Sequence, residues 1–147
     1  MQTFLPYPDF EESAKALDWK RLGKQRAEAK QINKALRGEY SRGWINHPIT
    51  KMWRGYEVLL CEYGIAMCSE WRARGYQDAQ LPYFYQERLY WENQRSPSEP
   101  HWFDDPSFFA SHRSNLLRKD FSFYSKFGWT EPDNLPYIWP EPRITHD

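Results

Sequence analysis

Little in this sequence can cross-link it. Its 147 residues include two cysteines, Cys61 and Cys68. On one helix, seven positions set them about 10 Å apart along the axis, out of disulfide reach. A chain of this length can bury a core without staples or metal, and one domain over residues 1–147 is expected. Long hydrophobic runs are also missing, so nothing reads as a signal peptide or membrane span. The expectation is a monomer of a reducing, cytoplasmic setting, with no membrane partner. Net charge is absent too: 20 Lys and Arg balance 20 Asp and Glu, which removes any overall electrostatic footprint for a polyanion. Phosphate-loop, dinucleotide and nucleophile-elbow signatures do not occur. Neither do HxxH or CxxC spacings, so no metal and no cofactor are expected.

What is abundant is aromatic. Phe, Trp and Tyr make up 18% of the chain, while mean hydropathy is only −0.93. Apolar mass is thus concentrated in rings, which fill a core with few residues or stack on bases. Charge is also uneven along the chain. The stretch from Lys15 to Arg74 is rich in Lys and Arg, whereas acids gather from Asp78 onward. That asymmetry permits one polyanion-facing side.

The pattern reads as all-α: a single compact domain of three main helices, an extended N-terminus and an aromatic-rich C-terminal tail. Pro6 and Pro8 hold the start extended. A long helix is expected over 10–36, with Asp9 as N-cap and Gly38 beyond its end. A second is expected over 49–74, closed by Gly75, with Met52, Tyr56, Leu59, Leu60, Tyr63, Met67 and Trp71 at helical spacing. A shorter helix fits within 77–90, and 96–105 reads as a loop. Pro106, after Asp105, opens the third main helix to about Lys119. The tail has no regular period and should wrap over the helices.

One face of the first helix carries chemistry. Ala14, Leu17, Arg21, Lys24, Gln25, Glu28, Gln31, Ile32 and Ala35 share a stripe at 3.6 residues per turn. Its ends are apolar and its middle is not. Burying such groups costs several kcal/mol each unless they are paired, so the stripe lines a polar cleft or forms a buried ion network. The alternative is a solvated face, with the core side around Leu22 and Ala29. Gly23, costly in a helix by up to about 1 kcal/mol, marks a close approach. A second feature is Asn46-His47-Pro48 before a helix start, where backbone N–H groups favour anions. There His47 either caps the helix or contacts phosphate.

Three segments together resemble the pyrimidine-dimer DNA glycosylases, the family of phage endonuclease V. They are the extended start feeding the helix that carries Arg21; Gly43-Trp44-Ile45-Asn46-His47-Pro48 with the later Arg72-Ala73-Arg74-Gly75-Tyr76; and residues 111–120 running into Phe123-Tyr124-Ser125-Lys126-Phe127-Gly128. The resemblance implies an all-α, metal-free enzyme whose N-terminal amine attacks the sugar of a damaged nucleotide, forming an imine that leads on to strand cleavage (AP-lyase activity). An α-amine suits this because its reference pKa lies near 8. Gln2 is too large for the preceding methionine to be removed, which makes the Met1 amine, beside Gln2, the expected nucleophile, and Lys24 a substitute. The family's adjacent Arg-Glu pair is not reproduced, since Leu22 follows Arg21, and Glu28 is the acid left on that face. The resemblance further implies duplex DNA with a damaged or modified base as partner, contacted by Arg21, Gln25, Arg26, Asn46, His47, Tyr124, Lys126 and Trp129. Two rival expectations keep the fold: a binder of nucleic acid or nucleotide without catalysis, and an enzyme for a modified nucleotide outside duplex DNA.

Overall fold

The computed structural model describes residues 2–40, 42–94 and 98–142, with the backbone alone for Arg42. The described residues form helices and turns with no strand, as the pattern implied. The helices are α1 (Phe10–Ala16), α2 (Trp19–Leu36), α3 (Arg42–Ile45), α4 (Pro48–Trp53), α5 (Glu57–Ala73), α6 (Leu81–Gln94), α7 (Pro106–Lys119) and α8 (Phe121–Tyr124), with 3-10 turns at His101–Asp104 and Ser125–Phe127. Four helices, α2, α5, α6 and α7, have 14 residues or more, one more than the three expected. None of the described helices is long and apolar enough to cross a membrane.

The helix expected over 10–36 is two helices. Asp9 caps α1 by accepting from Glu12 N at 2.7 Å, but Leu17 and Asp18 are extended and end it. The break is held from elsewhere. Arg74 Nη2 donates to the carbonyls of Ala14, Lys15 and Leu17 at 3.2, 3.2 and 2.8 Å, satisfying acceptors that a continuous helix would have bonded internally. The helix expected over 49–74 is also split, because Gly55 takes φ +89° and Arg54 is extended. That leaves α4 and α5 at an angle, with the buried Trp53 at the corner. The short helix lies at 81–94 rather than within 77–90, whereas Pro106–Lys119 forms as expected, capped by Asp105.

Helix α5 is the central element, packed against α1, α2 and α6. Two glycines allow the approach. A Cβ on Gly64 would sit 2.4 Å from the Phe84 ring of α6, and one on Gly23 would sit 3.0 Å from the Trp71 ring of α5. Gly23 therefore makes room for a neighbouring helix. Cys61 and Cys68 are buried, unpaired thiols of α5, as their spacing required.

The N-terminal segment threads into this assembly. Phe4 N donates to Tyr63 Oη at 3.0 Å, Leu5 N to His112 Nδ1 at 2.8 Å, and Arg113 Nη1 to Pro6 O at 2.8 Å. The tail wraps over α7 and this segment: Tyr137 Oη donates to Thr3 O at 2.8 Å, and Trp129 Nε1 to Tyr7 Oη at 3.0 Å.

Candidate active site

Where the N-terminal segment crosses α2 there is a cleft of about 320 Å3, lined by Gln2, Phe4, Lys20, Arg21, Lys24, Gln25, Glu28 and Lys119. The stripe read from the sequence forms its wall. Both sides of α2 are used: Leu22 and Ala29 are fully buried in the core, while the polar stripe meets the incoming chain. Gln25 and Glu28 are buried, at 1% and 6% exposure, and Arg21 and Lys24 stand at the rim.

Gln25 organises the floor. Its amide nitrogen donates to Gln2 O at 2.9 Å and to Glu28 Oε2 at 3.0 Å. Its oxygen accepts from Tyr63 Oη at 2.9 Å. Both amide hydrogens and one lone pair of the oxygen are thereby engaged. Gln25 ties the N-terminal segment to the acid. Burial raises the Glu28 carboxyl above its ordinary range, against the pull of the Lys24 ammonium and the Gln25 hydrogen bond. Lys24 Nζ lies 3.6 Å from Glu28 Oε1. A buried acid with a raised pKa, touching solvent through a cleft, is suited to hold and return a proton.

The remaining candidates separate. Gln2 and Arg21 are in the cleft, Arg21 bonded to Asp18 at 3.2 Å. Met1 lies outside the described residues. Arg26 does not face the cleft. It pairs with Asp78, lies over the Trp71 ring at 4.8 Å, and holds the Asp78 carboxyl below its usual range despite burial. His47 takes the capping role, Nδ1 accepting from Ile49 N at 3.1 Å, and it stacks on Trp44. Burial moves its pKa down. The adjacent Asn46 is exposed. Tyr124, expected to lean on DNA, is instead wholly buried, because its hydroxyl is bonded to Asp18 twice. Trp129 is half-buried and stacks on Phe127 and Tyr124. Lys126 is exposed, over the Phe123 ring at 3.8 Å.

Sequence reasoning missed Lys20, Phe4 and Lys119 as cleft residues. Lys20 follows from the same helix, but Lys119 arrives from the end of α7, and no local pattern marks it.

Together, fold and cleft define an all-helical domain with a cation-rimmed pocket over a buried acid. Its first 82 residues match the family model described as pyrimidine dimer DNA glycosylase. That is more than half of the 147, and the chain belongs to this family. Among curated proteins and among solved structures, none matches significantly.

Proposed function

We propose that this protein is a DNA glycosylase that excises a damaged pyrimidine from duplex DNA, using an amine as nucleophile and Glu28 as acid and base. The observation that carries this reading is the buried Glu28 in a cleft ringed by Lys20, Arg21, Lys24 and Lys119. Four cations around one acid suit a polyanion's backbone, although the whole chain has no net charge. The cleft is a pocket rather than a groove, so the duplex must be bent or the nucleotide turned out to enter. Arg21, Lys20 and Lys24 hold the flanking phosphates in this scheme, and Lys126 on the tail contacts the strand further along. Glu28 lends its proton to the departing base and takes it back from the attacking amine. The imine that results leads on to cleavage of the strand at the abasic site.

The direct test is cleavage of an N-glycosyl bond in a duplex carrying one cyclobutane thymine dimer, scored by strand cleavage and by free thymine after photoreversal of the dimer. Activity in the wild type and its loss in Glu28→Gln supports the reading. Binding to duplex DNA without release from dimer, abasic or other damaged substrates would instead mean a non-catalytic binder of the same fold.

A further inference from the structure

Residues 43–48 line no part of the cleft, yet their rings belong to a cluster at the surface. Trp44 stacks on His47 at 5.8 Å between ring centres, and Tyr40 lies 6.0 Å from Trp44. His47 meets Trp139 of the tail edge to face at 6.1 Å, and Trp139 packs on Tyr137 at 4.5 Å. Rings in a core are explained by packing, but these are not enclosed. Trp44 and His47 are half-buried, and Trp139 is 39% exposed. Their polar atoms are also differently used. Trp53, Trp71, Trp91 and Trp129 donate their indole N–H groups within the protein. Those of Trp44 and Trp139 have no hydrogen-bond partner among the described residues.

The cluster is tied to the cleft through consecutive carbonyls of the N-terminal segment. Gln2 O accepts from Gln25 in the cleft floor at 2.9 Å, and Thr3 O accepts from Tyr137 Oη at 2.8 Å. Burial raises the Tyr137 hydroxyl above its ordinary pKa, against the bond to Thr3, and the Glu28 charge adds to the rise. The ring cluster therefore begins one residue from the cleft wall and within electrostatic reach of its acid. His47 brings it a ring rather than a charge. Its Nδ1 is engaged by Ile49 N, and burial lowers its pKa.

We propose that Trp44, His47 and Trp139 form a stacking surface for a nucleobase that adjoins the lesion in the damaged strand and has left the duplex stack. The inference rests on the glycosylase reading above and names the residues that receive the displaced base. Drawing a damaged nucleotide into a pocket unstacks it, and its neighbour in the strand loses a stacking face at the same moment. Such a base offers a flat ring to the aromatic side chains and a polar edge to the indole N–H groups. A phosphate would use neither the ring faces nor an uncharged imidazole. Successive bases of one strand are only about 3.4 Å apart along B-DNA, so the next base in the strand is the one within reach of a cluster that starts one residue from the cleft. The opposing base sits on the other backbone. Stacking of this kind tolerates any base, because every base has a π-face; it holds the opened duplex and leaves the choice of lesion to the cleft.

The experiment is binding, read by fluorescence anisotropy, to a thymine-dimer duplex and to three versions of it. These lack the base 5′ to the dimer, the base 3′ to it, or a base opposite it. Glu28→Gln, which leaves the substrate unconsumed, is compared with the same protein also carrying Trp44→Ala, Trp139→Ala or Trp139→Phe, each checked by circular dichroism for native helix content. The expected result is a loss of roughly tenfold in affinity for the dimer duplex in either alanine variant, mostly recovered in Trp139→Phe. That loss should vanish on the duplex lacking the 5′ or the 3′ neighbour, where no base is left to stack. The slope of log affinity against log salt should not change, because no phosphate contact is removed. Equal binding by all variants, an equal loss on every duplex, a loss that vanishes only without the opposing base, or a shallower salt slope would each overturn the proposal. The glycosylase reading survives those outcomes when the protein with Glu28 intact cleaves an N-glycosyl bond in the dimer duplex. Failure of that cleavage on every damaged duplex defeats both.

Discussion

Asp18 and Tyr124, 106 positions apart, are bonded to each other in both directions. The Asp18 amide donates to Tyr124 Oη at 3.0 Å, and the hydroxyl donates to Asp18 Oδ1. Asp18 Oδ2 in turn holds Arg21 at the cleft rim, at 3.2 Å. The tail residue thus reaches the cleft through the acid that orients its arginine.

Tyr124→Phe should be destabilising by about 1–3 kcal/mol, because it strands a buried amide and carboxylate oxygen. Urea denaturation measures this directly. An unchanged midpoint would mean that the double bond contributes nothing net. The same variant should weaken DNA binding only modestly, since Arg21 loses orientation but not charge.

Gln25→Leu removes both donors and the acceptor at the cleft floor. Stability should fall by a similar 1–3 kcal/mol. The Glu28 pKa should rise further, because the Gln25 hydrogen bond is one of the interactions that lower it. Carboxyl carbon NMR titration would show the rise; a shift downward would contradict the assigned geometry.

Two buried groups give opposite pH dependences. The folded pKa of Glu28 lies above its ordinary value, so its protonated form is favoured in the fold. Its contribution to stability is present below the unfolded pKa, near 4.5, and is lost as pH rises through the folded value. Glu28→Gln should therefore stabilise the protein at neutral pH while cutting base excision by roughly 100-fold or more. His112 runs the other way. Burial lowers its pKa to about 3, while Nδ1 accepts from Leu5 N. The unfolded chain takes up that proton first, so stability should decline as pH falls from about 6.5 towards 3. Thermal melts of wild type, Glu28→Gln and His112→Gln across pH 3–8 separate the two, each variant flattening its own limb.

Gly64→Ala should destabilise by about 1–3 kcal/mol, since its Cβ would meet the Phe84 ring at 2.4 Å. Gly23→Ala meets Trp71 at 3.0 Å, and it also gains up to about 1 kcal/mol of helix propensity. It should cost clearly less. Equal losses in denaturation experiments would contradict this account of the α5–α6 packing.

Features governed by neighbouring residues were legible in the sequence. Asp9 as a cap, Pro106 as a helix opener, and Gly38 and Gly75 at positive φ follow from chemistry within one turn. The Arg21–Lys24–Gln25–Glu28 stripe was legible because its period is that of the helix, and its members do meet in one cleft. The break at Leu17–Asp18 was not legible, because it depends on Arg74 and Tyr124, which are remote in sequence. Arg26 looked like a member of the cationic set, and only the position of Asp78, 52 residues on, gives it another partner. Tyr124 looked like a surface residue because the tail has no period. It is buried in the core cluster, with its hydroxyl on Asp18, a partner that no local pattern encodes.

The N-terminal segment is secured in part by residues synthesised much later than itself. His112, Arg113 and Tyr137 bond Leu5, Pro6 and Thr3, and all three lie beyond the matched residues 1–82. On the ribosome, helices α1 to α5 can form while that segment still lacks its attachments to His112, Arg113, Trp129 and Tyr137. A chain interrupted before α7 would carry Glu28 and Arg21 yet lack one wall of the pocket and the clamp on the other. The cleft is therefore completed only when α7 and the tail are in place.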